Sequence, residues 1–343
     1  MRKFLLHELK KNLWFVVLLT AVCAFPYMAT VATSPMTSQW YIEETYTYLP
    51  VSPNLWMVGM GLILLTFVAP VAVYSFKMNK RSVDCFYAMP LKREKLLFVK
   101  TLVGLFLVVV PFTLSYWLGF FTLLIREGNP YQMLWYLPTY FGLLLYGVLL
   151  FGWHAFVYTR ANKPFDGIVF LIAYAFVGMV IVMGVLGALG LENAYEHVGI
   201  KTVENYMDFG GVINFFSNME NLIMKDSVFD WEIEGFLIPS LLGVIGYTLL
   251  FSLERFQKAE NAEQVSNDWF GYKVLIPVYT AYCLASAINL SSVVLGCVCV
   301  AFSFVAIVVW KRKFRIGKSG WIVFAIGIVA GILLGILMEH NLP

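Results

Sequence analysis

Few residues of this 343-residue sequence have the type and spacing that chemistry needs, and most fail once their neighbours are read. Cys297 and Cys299 are two apart, which turns them about 200° from each other on a helix, so packing suits them better than a metal. With Cys23 and Cys283 also in apolar stretches and Cys85 in a basic loop, no disulfide framework is available. His154, beside Trp153, is the only imidazole within an apolar window, and with no carboxylate in that window it reads as a packed or interfacial side chain. Gly317-Lys318-Ser319 matches the end of a phosphate-binding loop, but Arg312 stands where the first glycine belongs and no strand precedes it. Neither His-Glu-x-x-His nor Gly-x-Ser-x-Gly occurs, and no paired acids lie inside an apolar window. The chain therefore reads as a non-enzyme with no cofactor or metal of its own, and ATP-driven work would need another subunit.

One segment is richer. From Asn79 to Leu96 the chain reads Asn-Lys-Arg-Ser-Val-Asp-Cys-Phe-Tyr-Ala-Met-Pro-Leu-Lys-Arg-Glu-Lys-Leu. Ser82 is placed to cap a short helix in which Val83, Phe86 and Tyr87 share one face at i, i+3, i+4, flanked by Arg81 and Asp84, with Pro90 as its stop. Apolar knobs in a basic collar suit docking into a groove on a soluble partner. A basic loop that satisfies only an orientation rule and touches lipid head groups fits the composition equally well.

The elements that must position this segment are membrane helices. Hydrophobic residues make up 60 % of the chain and charged residues 13 %, and the mean hydropathy is +0.76, which excludes soluble, disordered and disulfide-rich secreted readings of the whole. Windows able to cross about 30 Å of hydrocarbon run Leu13 to Ala32, Leu55 to Phe76, Thr101 to Ile125, Met133 to Tyr158, Gly167 to Leu191, Phe236 to Leu253, Val274 to Leu290, Ser292 to Trp310 and Trp321 to Met338. The Val274 and Ser292 windows are joined so tightly that a re-entrant hairpin is an alternative to two spans. The fold class expected is an all-α polytopic helical bundle.

Lys and Arg fix the expected orientation, because basic loops resist translocation. With the N-terminus cytoplasmic, 21 of the 24 basic residues lie inside, leaving Arg126, Lys201 and Lys225 outside, whereas 8 acidic residues lie inside and 13 outside. Residues 1–12 intersperse Phe4, Leu5 and Leu9 with Lys3, Lys10 and Lys11 and suit a surface helix or a frayed cationic tail. Pro26, Pro70, Pro111, Pro138, Pro239 and Pro277 fall within or at the ends of spans, where kinks are expected. Gly327, Gly331 and Gly335 make one smooth helix face for close packing against an unidentified partner helix. No Asp, Glu, Lys or Arg lies near the middle of any span, which disfavours an ion-coupled carrier.

Lys80-Arg81-Ser82-Val83-Asp84, the following aromatic, Pro90 and Arg93-Glu94-Lys95-Leu96 together resemble the first cytoplasmic loop of type-2 ABC exporter permeases of Gram-positive bacteria. In that family the loop commonly reads Lys-Arg-Ser-x-Asp, an aromatic, a small polar pair, Leu-Pro and a basic Lys-Leu segment. Tyr87, Ala88 and Met89 depart from the usual His, Ser and Leu. The resemblance implies that Arg81, Ser82, Asp84, Phe86, Tyr87, Pro90 and Arg93 form a coupling element on an ABC ATPase subunit, which would hold the ATP and Mg. The layout is similar too: a surface helix at 1–12, a six-span core at 13–253 with its coupling loop at 77–100, an external segment at 192–235 and a cytoplasmic linker at 254–273. In the linker Arg255, Lys258-Ala259-Glu260 and Ala262 resemble a second signature of the family, with Glu263 where glycine is usual. The external segment contains nine acidic residues among aromatics, and either a re-entrant helix or a plain acidic loop fits it. Residues 274–343 carry added spans without an assigned role.

The function this implies is export of an amphiphilic, peptide or antibiotic-like cargo across the bacterial cell membrane. The partners are the ATPase, a second permease copy or paralogue, and membrane lipid, with no nucleic acid. An ion-coupled carrier and a non-transporting sensor or scaffold on the same ATPase are the competing classes.

Overall fold

The computed structural model describes residues 2–33, 37–42, 45–50, 55–125, 133–188, 233–254, 259–314 and 317–340. The external segment 192–235 therefore lies almost wholly outside the described residues, as do Arg255 and Lys258 of the linker. The chain is a polytopic, all-α membrane protein. Its helices are α1 (Arg2–Lys11), α2 (Leu13–Thr33), α3 (Leu55–Tyr74), α4 (Lys80–Tyr87), α5 (Arg93–Ile125), α6 (Met133–Thr159), α7 (Pro164–Ala188), α8 (Ile233–Leu253), α9 (Tyr272–Asn289), α10 (Val293–Lys311) and α11 (Lys318–His340). Over the described residues α2, α3 with its following turn, α5, α6, α10 and α11 contain stretches long and apolar enough to cross a membrane. α7 and α8 contribute shorter apolar stretches there, and α9 is interrupted by Tyr279, Thr280, Tyr282 and Ser286.

Helix boundaries follow local chemistry. Pro164 opens α7 at the first helical position, where its missing N–H costs nothing, and Asp166 in the first turn complements the helix dipole. α5 has 33 residues and so is about 50 Å long, more than a bilayer needs, and its first turns carry the basic collar Arg93, Lys95 and Lys100. Between α2 and α3 the strands β1 (Thr37–Ile42) and β2 (Thr45–Pro50) pair antiparallel, with Ile42 opposite Thr45 and Thr37 opposite Pro50. This hairpin is absent from the span reading, although its Thr, Tyr and Trp content is typical of strands.

Contacts divide the chain into two compact units. The first contains Met1–Val73, Pro90–Ala155 and Glu204–Arg255. In it α2 packs on α5, where Gly119 leaves space for the Tyr27 ring, and Tyr27 hydroxyl meets that of Tyr136 while Tyr116 donates to the Tyr136 carbonyl at 2.7 Å. Gly246 brings α8 against the backbone of Trp153 on α6, and Tyr247 donates to the Val148 carbonyl at 2.7 Å. The N-terminal residues form the helix α1, whose most buried residue is Glu8, paired with Lys100 of α5 at 2.8 Å. His154 is buried and packed, its ring 4.3 Å from that of Phe67 and its Nδ1 3.2 Å from Thr66 Oγ1.

The second unit contains Tyr74–Met89, Phe156–Val203 and Phe256–Pro343. It is organised on α9, which packs against α11, α10 and α7. Gly327, Gly331 and Gly335 are buried on the α9 side of α11, facing Pro277 and Thr280, Ala281 and Leu284, and Ile288. A Cβ at Gly331 would lie 3.0 Å from the Ala281 carbonyl oxygen, so α9 is the partner of that smooth face. The α9 face toward α7 is anchored by Tyr279, which donates to the Ala173 carbonyl at 2.6 Å. Reading spans in order groups α7 with the preceding ones, and packing instead groups it with the last three. The two windows after residue 273 form a helical hairpin, turned at Ser291 (φ 50°) and restarted by Ser292, whose Oγ accepts from the Leu295 N–H. Outward residues such as Val293, Val294, Phe302 and Val305 on α10 are exposed and apolar, as a lipid-facing surface requires.

Candidate functional site: the short helix and its strap

The Asn79–Leu96 segment does form a short helix. α4 starts two residues before Ser82, and its cap is Asn79, whose Oδ1 accepts from the Ser82 N–H at 3.4 Å. Ser82 itself is inside the helix and half-buried, which corrects the capping expected from its hydroxyl. The helix closes with Ala88 N–H donating to the Asp84 carbonyl, and Met89 precedes Pro90, a pairing that disfavours further helix. Pro90 and Arg93 are exposed, Arg93 as the first residue of α5.

Val83, Phe86 and Tyr87 do share a face, but that face turns inward. Val83 is 2 % exposed, Phe86 and Tyr87 are half-buried, and the Phe86 ring lies 4.7 Å from that of Phe76. An eight-residue helix cannot hold itself in water, so its apolar face is spent on staying attached. The residues left outward are Arg81, Asp84, Cys85 and Ala88, spaced i, i+3, i+4, i+7 as one helical stripe. Arg81 and Asp84 thus sit on a free surface, whereas the aromatic pair does not project from it.

The sequence marks the linker beneath α4 but not its contact with that helix. Residues 259–271 run from the linker to α9 as a strap. Glu263 Oε1 accepts from the Lys80 N–H at the start of α4, at 3.2 Å. The Glu263 N–H in turn donates to the Asn162 carbonyl at 2.9 Å, in the connection between α6 and α7. Ser266, 1 % exposed, is the pivot: its Oγ accepts from Asn162 N–H at 3.0 Å and donates to Asp166 Oδ2 at 2.6 Å, and its carbonyl accepts from Trp310 Nε1 at 2.7 Å. Asp166, 4 % exposed, also accepts at Oδ1 from the Tyr272 hydroxyl at 3.0 Å, while Arg312 Nη2 stands 3.5 Å away. The two short hydroxyl bonds carry most of the compensation for burying this carboxylate, and the longer arginine contact supplies opposite charge. Arg160, buried against the Phe156 ring, holds Asp268 at 3.8 Å.

A polar cluster buried around Asp166 and Ser266 therefore joins the α6–α7 turn through Asn162, α7 through Asp166, α9 through Tyr272 and the end of α10 through Trp310 and Arg312, and the exposed Glu263 extends it to α4. A sequence signal existed only for Asp166, beside Pro164, and it reads there as dipole complementation. The others stand singly in loops and at helix ends far apart in the chain. Among the described residues no group of three His, Cys, Asp or Glu side chains is placed to hold a metal. No family model matches the chain, and neither a curated protein nor a solved structure matches it.

Proposed function

We propose that the chain is the membrane subunit of an ATP-driven exporter, coupled to a separate ATPase through α4. The observation that carries this reading is the outward stripe Arg81, Asp84, Cys85 and Ala88 on a short helix that follows α3 and precedes α5 in the chain. A stripe with two charged residues followed by two small ones suits electrostatic docking on a soluble surface. The resemblance of Lys80–Asp84 and Arg93–Leu96 to permease coupling loops points to an ABC ATPase, which would bind ATP and Mg. ATPase closure would shift α4 and bias the spans between inward- and outward-facing arrangements. Two permease copies, or this chain and a paralogue, would enclose the path. The packed state of His154 gives an ion relay no support there, and the apolar helices suit an amphiphilic or peptide cargo.

Cys85 provides the test because it is exposed on α4. A photo-crosslinker on Cys85, in a Cys297→Ser background, is expected to capture a chain that carries a complete phosphate-binding loop and binds ATP. Capture of no such chain, or ATP hydrolysis by the purified permease alone, would overturn the reading. The same thiol reports orientation: a membrane-impermeant maleimide should label it in inverted vesicles and not in intact cells.

A further inference from the structure

We propose that Glu263 is the positioning residue of α4, a latch through which α9 and α10 set where the short helix sits. The inference rests on the exporter reading for its purpose, since α4 matters as the docking element, but its geometry stands apart from that reading.

Glu263 has φ 64°, a left-handed conformation that favours glycine. A residue without a side chain would make this turn with less strain, yet only a side chain with an acceptor reaches the Lys80 N–H. The carboxylate also lies at the positive end of α4. Arg312 follows the same pattern, with φ 53° just after α10 and its guanidinium directed at Asp166. Two strained residues thus bracket the strap cluster, and each places a charged head group on a neighbouring element. Between them Ser266 is fixed by Asn162, Asp166 and Trp310 at hydrogen-bond distances of 3.0 Å or less.

The consequence is a chain of polar contacts from α10 and α9 through Asp166, Ser266 and Asn162 to Glu263 and α4. The added C-terminal helices acquire a role: they hold the strap. The outer end of that chain is a partly solvated hydrogen bond, whereas the inner end is buried, so α4 detaches more easily than the strap does.

Hydrogen exchange on the full-length protein in lipid nanodiscs, without any ATPase, tests this. Glu263→Gly keeps the left-handed turn and removes the acceptor. It is expected to speed exchange of the α4 amides on the order of tenfold, with α9–α11 unchanged. Glu263→Gln retains a neutral acceptor and is expected to give a much smaller rise. No change in E263G, or an equal rise in both variants, would overturn the latch. Because Glu263 is at the surface, these variants should fold even where Asp166→Asn does not; D166N is expected to loosen both strap and α4. Failure of Cys85 to capture an ATP-binding chain while E263G still loosens α4 would remove the exporter reading and leave the latch intact.

Discussion

The two short amphipathic helices of this protein are held in opposite ways. α1, in the first unit, is tied to α5 by the Glu8–Lys100 pair, whose side chains are each 6 % exposed. α4, in the second unit, has among its attachments the buried Val83, the Phe86–Phe76 ring contact and a hydrogen bond open to solvent. A buried ion pair is costly to break, because removing one partner strands the other charge in a medium that cannot solvate it. A surface hydrogen bond contributes about 0.5–1.5 kcal/mol and re-forms with water when lost. The contrast separates a helix tied by a buried charge pair from one whose hydrogen bond to the strap is open to water.

Breaking the anchor should have the largest effect. Glu8→Ala leaves Lys100 buried without its carboxylate, and is expected to cost about 3–5 kcal/mol, read as a lowered unfolding midpoint in detergent. Joint replacement of Glu8 and Lys100 by Leu and Met should recover much of that loss; equal damage from the double variant would mean that packing, not stranded charge, explains it. Next in size is Gly331→Leu, which forces a side chain into Ala281 and Leu284 and should cost about 1–3 kcal/mol while separating α11 from α9, measurable as faster exchange in both helices. Unaltered exchange there would show that α9 is not the glycine partner.

The attachment side should give smaller numbers. Phe86→Ala removes the ring contact to Phe76 and is expected to lower α4 protection by about 1–2 kcal/mol, with no loss of global stability. If instead F86A abolished ATPase capture while α4 protection stayed normal, the ring would be a contact residue and the inward face assigned here would be wrong. Asn79→Ala removes the cap and should cost about 0.5–1 kcal/mol, confined to the first turn of α4. A global change in the unfolding midpoint from N79A would erase the distinction between the two attachments.

Much of this was legible without coordinates because it is local. Hydropathy over 18 or more residues marks a helix that must satisfy its own backbone in lipid, so the spans fall close to their windows. The i, i+3, i+4 spacing of Val83, Phe86 and Tyr87 placed those residues on one face, and Pro90 bounded the helix, since both follow from helix geometry alone. Periodicity gives a face but no direction. Which way the α4 face turns depends on Phe76 and on a strap 183 residues further along, where Glu263 meets Lys80. The glycine stripe on α11 likewise announced close packing, but only the fold chose α9, because the small and β-branched surface that fits it is formed by Pro277, Thr280, Ala281 and Ile288 together. The Asp166 cluster had little sequence signature: Asp166 beside Pro164 signals only a helix start, its partners stand singly in separate segments, and burial alone turns them into one site.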